Sequence, residues 1–294
     1  MCESVLIVGD GNFSFSLSLL KKSPLRLVAT GYESEEESLK CPQTVLNKEE
    51  LLTMGATVLH KVDGTQLEAC LCLQELQVKY DRVIFNFPHT GGKSKIQKNR
   101  ELLESFFKSA SRLMMSPSGK VVMSLCRGQG GTPSDCQNRG FENSWKVVEM
   151  AAEAGLVLTK VEPFSITEFP NYTPTGYRGQ DKGFMLDGAL MHTFMLPGTA
   201  KSLFPPEYRH DVSFWCGGLV AFDESKLIDT VKRVTGDTVQ SIECVDKYAL
   251  EGRVSLCYRL CYYSVNGVLS RTSARELQLL VRQALQEQLE LDVR

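Results

Sequence analysis

Apolar residues fall along this chain in two alternating rhythms. Short continuous runs, such as Val5-Leu6-Ile7-Val8 with three β-branched residues, read as strands buried on both faces. Between them, apolar residues recur at spacings of three and four, as in Phe13, Leu17 and Leu20 or Trp145, Val148 and Ala152. That spacing predicts amphipathic helices. The runs place strands over 4–8, 26–31, 57–62, 82–87, 120–125, 157–163 and 192–196. Helices are predicted over 13–20, 36–54, 67–77, 96–115 and 145–154. Alternation of this kind predicts a parallel sheet covered by helices on both faces, with ligands at the carboxyl ends of the strands. No helix is evident between the last two strands, so the last is open to an antiparallel course.

The rhythm changes after Leu196-Pro197-Gly198. Strands are predicted over 208–216, 238–245 and 254–263, helices over 223–234 and 272–289, and a short strand at the end. The order β-α-β-β-α-β is ferredoxin-like. The fold class is therefore α/β, a Rossmann-like domain over 1–197, followed by a linker at 198–204 and an α+β ferredoxin-like domain over 205–294. That second domain is expected to be complete. In it, Val254, Leu256, Tyr258, Leu260 and Tyr262 alternate with more polar residues, predicting a sheet with one face on helices and one open. Arg209, His210, Arg259 and Arg271 are candidates for RNA contact on or beside the open face. A purely structural or dimerising module is the other reading.

Composition narrows the class. Hydrophobic residues make up 43% and charged residues 23% of the 294 residues, as in a soluble globular protein. No apolar run approaches the roughly 18 residues of a membrane span, so no membrane partner is expected. The first strand begins almost at once, so no leader segment is expected. The ten cysteines form no C-x-x-C pair, and with four histidines they suggest no zinc set. Reduced thiols point to the cytoplasm or the nucleus. The net charge of −2 means that any nucleic-acid contact comes from local patches.

Two strand ends carry the candidate chemistry. The first strand runs into Gly9-Asp10-Gly11-Asn12, a tight turn ahead of a helix, where a nucleotide-like cofactor approaches backbone and helix amides. Glu33 follows the second strand, where a carboxylate meets ribose hydroxyls, and Asp63 follows the third, at an adenine-contact position. Ordinary loop acids and helix caps remain the plainer reading of both. The fourth strand ends in Asn86-Phe87-Pro88-His89. Here Pro88 fixes the turn and His89 is a candidate general base, with a capped loop carrying a surface histidine as the plainer reading. Lys93, Lys95, Lys98 and Arg100 follow, as a phosphate-binding patch or a solvated turn. Further on, the polar loop Gly176–Phe184 offers Tyr177 and Arg178 for a pocket and Asp181 as a second base candidate.

The fourth strand's end resembles the Asn/Asp-Pro-Pro-aromatic motif of methyltransferases acting on nitrogen, which implies that Asn86 orients the acceptor and Phe87 stacks on the base. Val8–Ser16, Ala29–Glu33, Phe85–Gly92, Asn99-Arg100 and Gly176–Phe184 together resemble the family of large-subunit ribosomal RNA uridine-N3 methyltransferases. Pro205–Trp215, Val245-Asp246, Ser255–Arg259 and Val281-Arg282 resemble the ferredoxin-fold anticodon-binding domain that ends phenylalanyl-tRNA synthetases. The first resemblance implies an S-adenosylmethionine-dependent methyl transfer to uridine N3 in rRNA, with the target base flipped out. The second implies tRNA binding. The family glycine loop departs from the usual one, with Asn12-Phe13 in place of a third glycine. A tRNA methyltransferase, a non-catalytic RNA-binding adaptor and an NAD-dependent oxidoreductase are the rival readings. The last gives Asn86–His89 no role.

Overall fold

The computed structural model describes residues 2–91, 95–135, 140–175, 184–198, 201–216 and 222–294. The chain divides into two units, Met1–Phe204 and Pro205–Arg294.

The first unit holds a seven-stranded sheet. Its strands are β1 (Glu3–Val8), β2 (Leu25–Thr30), β3 (Thr57–Leu59), β4 (Arg82–Asn86), β5 (Lys120–Leu125), β6 (Val157–Pro163) and β7 (Leu190–Met195). They lie in the order β3-β2-β1-β4-β5-β7-β6. The first five pair in parallel, and β7 runs antiparallel to both β5 and β6. This is a Rossmann-like fold. The strand order reverses between β1 and β4, and such a reversal is where an open sheet of this kind holds its ligand.

Helices α1 (Ser14–Lys22), α2 (Glu35–Ser38), α3 (Pro42–Thr53), α4 (Leu71–Glu75), α5 (Ile96–Leu113) and α6 (Val147–Ala152) cover the sheet. Period-two alternation sends Leu6, Val8, Val83, Val121 and Met123 to one core, with Leu103, Phe106 and Phe107 of α5. Val5, Ile7, Ile84 and Val122 go to the other, with Leu17 of α1 and Leu51 of α3. Each buried aromatic or large aliphatic side chain here contributes roughly 1.5–3 kcal/mol by leaving water. Where one helix was expected over 36–54, Pro42 opens a second one, since its ring cannot continue the first but suits a first helical position. The expected helix over 67–77 is instead a 3₁₀ segment, Gly64–Ala69, followed by α4. The described residues 201–204 belong to this unit. Leu203 donates its N–H to the Leu158 carbonyl at 2.7 Å, and Phe204 packs on the first core.

The second unit is an α+β ferredoxin-like fold. Its strands β8 (Tyr208–Cys216), β9 (Val239–Leu250), β10 (Arg253–Tyr262) and β11 (Asp292–Val293) form an antiparallel sheet in the order β11-β8-β10-β9. Helices α7 (Glu224–Thr235) and α8 (Arg271–Leu289) share a core with its inward residues, among them Val212, Phe214, Leu256 and Leu260. β9 outruns its expected end at 245. It turns into β10 through Glu251-Gly252, both at positive φ (48° and 77°), the two-residue hairpin that matches strand twist. Among the described residues, no helix is long and apolar enough to cross a membrane.

Candidate active site

The loops after β1, β3 and β4 converge on one cavity of about 480 Å³. That volume suits a cofactor-sized ligand. Gly9 sits at φ +66°, and a Cβ there would lie 2.8 Å from the Phe85 ring, so a glycine is required on both counts. A Cβ on Gly11 would meet the Thr175 hydroxyl at 2.8 Å. The missing side chain thus admits residues 173–175 over the loop.

Asp10 and Asn12 line the cavity and also hold it together. One Asp10 oxygen accepts from the Ser16 N–H at 2.7 Å and from the Ser16 hydroxyl at 2.6 Å, anchoring the first turn of α1. Burial nonetheless pushes the Asp10 carboxyl above its ordinary range, outweighing those hydrogen bonds. Asn12 accepts from the Ser14 N–H through Oδ1 and donates through Nδ2 to the Thr173 carbonyl at 2.9 Å. Asp63 lines the cavity as well, while its Oδ1 takes the Thr65 N–H and hydroxyl and caps the 3₁₀ segment. Glu33 lies apart, in a shallower adjoining groove that shares Gly11 and Tyr32 with the main cavity.

Asn86, Phe87, Pro88 and His89 all line the same cavity. Asn86 and Ser124 are register partners on β4 and β5. The Ser124 hydroxyl donates to Asn86 Oδ1 at 2.7 Å. Asn86 Nδ2 is buried and has no hydrogen-bond partner among the described residues. A buried donor left unpaired costs about 1–3 kcal/mol, so a ligand acceptor there would be favoured. Phe87 sits at φ +50°, strained for a side-chain-bearing residue. Its buried ring stacks on Phe184 at 5.6 Å and meets Phe164 edge-on at 5.1 Å. Those contacts engage a ring that the sequence offered for stacking on a base. His89 Nδ1 accepts the Gly91 N–H at 2.8 Å, which leaves the ring proton on Nε2. The lone pair that a general base needs is therefore occupied in this arrangement.

Several candidates fall elsewhere. Lys95 and Lys98 are exposed at the start of α5. Arg100, expected to reach RNA, instead donates to the Ser144 carbonyl at 2.7 Å and the Glu142 carbonyl at 2.7 Å, clamping the segment before α6. Lys93, Tyr177, Arg178 and Asp181 lie outside the described residues. In the second unit, Arg259 is held by both Asp211 oxygens at 2.8 Å, and Arg209 by Glu207 at 2.6 Å. His210 alternates to the helix-packed side, its ring 5.8 Å from that of Tyr262, and burial lowers its pKa. It is not on the open face. Arg271 is exposed and opens α8.

The structure adds residues that sequence reasoning missed. Tyr172, Thr175 and Phe184 line the cavity from far along the chain, and Tyr32 from beside Glu33. Burial raises the Tyr172 hydroxyl well above its usual pKa. Ser124 carried a signal: a lone hydroxyl inside the apolar run Val121–Leu125 asks for a partner. On the open face of the second sheet, Trp215 lies 6.3 Å from Tyr248 and under the guanidinium of Arg294 at 4.4 Å.

Residues 6–176 match the model of the family described as rRNA (uridine-N3-)-methyltransferase BTM5-like. The chain belongs to that family. It is 41% identical over 207 residues to ferredoxin-fold anticodon-binding domain-containing protein 1 homolog of Mus musculus, over 70% of this chain and 33% of that one. It is 23% identical over 217 residues to 25S rRNA (uridine(2634)-N(3))-methyltransferase of Saccharomyces cerevisiae, over 58% of this chain and 65% of that one. A third relative is the chloroplastic/mitochondrial phenylalanine–tRNA ligase of Arabidopsis thaliana, 32% identical over 95 residues, 32% of this chain and 21% of that one. The match thus spans about a third of the length of the mouse relative.

Proposed function

We propose that the chain is an S-adenosylmethionine-dependent RNA methyltransferase whose target is uridine N3 in large-subunit rRNA. The observation that carries this is the placement, in one cavity, of a glycine loop and a buried, unpartnered amide nitrogen on Asn86. Family membership supports methyl transfer to rRNA, and the yeast relative is named for uridine N3.

The residues fit the donor. Gly9, Gly11, Tyr32 and Asp63 line the cavity and would hold the donor, and Asp10 is a buried carboxylate that a cationic group would ease. When bound, the donor supplies an electrophilic methyl carbon. The chain's own part is to align the base. Residues at the mouth of the cavity, with exposed Lys95 and Lys98 close by in sequence, would receive a flipped-out base and its phosphates. Such a protein would work in the cytoplasm or the nucleolus.

A tRNA substrate is the second reading, favoured by the likeness to a phenylalanine–tRNA ligase. The test is transfer of labelled methyl to rRNA and to tRNA, with nucleoside analysis of each product. Label recovered as 3-methyluridine in rRNA supports the proposal. Label confined to tRNA overturns the rRNA assignment. Donor uptake with no transfer to either leaves a non-catalytic adaptor.

A further inference from the structure

We infer that Ser124 turns the Asn86 carboxamide so that its N–H group, not its carbonyl, faces the acceptor base, and that this selects an imide over an exocyclic amine. The inference rests on the functional reading above and goes further into the same site. Its basis is the juxtaposition of two register partners. The Ser124 hydroxyl, fully buried, donates to Asn86 Oδ1 at 2.7 Å. The acceptor end of the amide is thereby engaged by the protein. The donor end, Nδ2, is left with no partner among the described residues, on a side chain that lines the cavity.

The two classes of nucleobase nitrogen ask for opposite partners. An exocyclic amine, on adenine or cytosine, carries N–H groups and is held by acceptors. The imide of uracil is flanked by two carbonyl oxygens. When its N3–H bond breaks, the proton goes to solvent water and the electron pair stays on the ring, shared among N3, O2 and O4. An N–H donor at one of those oxygens favours that anion over the neutral base. Nδ2 of Asn86 is such a donor. The site thus promotes ionisation of the imide by stabilising the anion. Asn86 is the group in contact with the base, and Ser124 is a positioning residue that acts through it.

The test is the pH dependence of methyl transfer to rRNA by the full chain, in the wild type and in Asn86→Ala, Ser124→Ala and Ser124→Thr. In the wild type the rate rises with pH to an inflection below the pKa of free uridine. Asn86→Ala should move the inflection up by about one to two pH units, the range expected for a hydrogen bond to a charged group. Ser124→Ala should move it part of the way, and Ser124→Thr, which keeps the hydroxyl, should restore it. A readout independent of turnover is the ionisation of an RNA oligomer carrying 5-fluorouridine, followed by fluorine NMR on adding protein. Its apparent pKa should fall with the wild type and return with Asn86→Ala. An inflection that stays in place while the plateau falls would overturn the inference alone, and so would weaker donor binding as the sole effect of Asn86→Ala. Methylated adenine or cytosine amine as the product would overturn it too. No transfer to any RNA would overturn the functional reading and this inference with it.

Discussion

In the seven-stranded unit, the Asn86 amide nitrogen is buried without a protein partner and the Asp10 carboxyl is held above its ordinary pKa by burial. On the open sheet of the four-stranded unit, each exposed guanidinium that the sequence offered to RNA ends on a carboxylate, Arg259 on Asp211 and Arg209 on Glu207. The first arrangement leaves polar groups for a ligand to satisfy. The second has already satisfied them. Basic residues on an open sheet are thus weaker grounds for a nucleic-acid site than one unpaired amide in a cavity, because an exposed ion pair must be broken before either partner serves a phosphate.

Five variants break or sharpen this contrast. The largest effect is expected at Gly9→Ala. A positive φ and a Cβ 2.8 Å from Phe85 should cost about 1–3 kcal/mol in thermal melting and weaken donor uptake more than tenfold. Arg100→Ala comes next. It strips donors from the carbonyls of Glu142 and Ser144, for about 1–2 kcal/mol of stability, and leaves the salt dependence of RNA binding unchanged. Lys98→Ala should do the reverse.

Acidification is the third lever. Burial lowers the pKa of His192, and those of His60 and His210 shift the same way. As pH falls below about 6.5 the unfolded chain takes up protons first, so stability holds above that value and is lost below it. His192→Leu should flatten the decline of melting temperature between pH 7 and pH 5. The smallest effect belongs to Asp211→Asn. It should leave the melting temperature unchanged but release Arg259, and the salt slope of RNA retention should steepen by about one.

The parts of this molecule legible in its sequence are those set by neighbours along the chain. The run Val5–Val8 and the following Gly9-Asp10-Gly11 specify a buried strand and a turn through local sterics alone. Asn86–His89 was readable for the same reason. The break at Pro42 was also local, and the apolar spacing across it masked the stop. β9 ran past its expected end because Asp246 and Lys247 lie on an exposed edge strand, where polar residues are no barrier to pairing. The rest of the site depends on distant partners. Ser124 meets Asn86 across 38 residues, and Thr173 meets Asn12 across 161, through sheet register and loop packing that no local spacing encodes. The fate of Arg100 was hidden likewise, since its carbonyl partners lie more than 40 residues away.

The most direct measurement is isothermal titration calorimetry of the full chain with S-adenosylmethionine, wild type beside Gly9→Ala. The account predicts saturable one-site uptake by the wild type, no stronger for NAD than background, and more than tenfold weaker uptake by a folded Gly9→Ala variant. A folded wild-type chain that takes up none of the donor, with or without rRNA present, would contradict it.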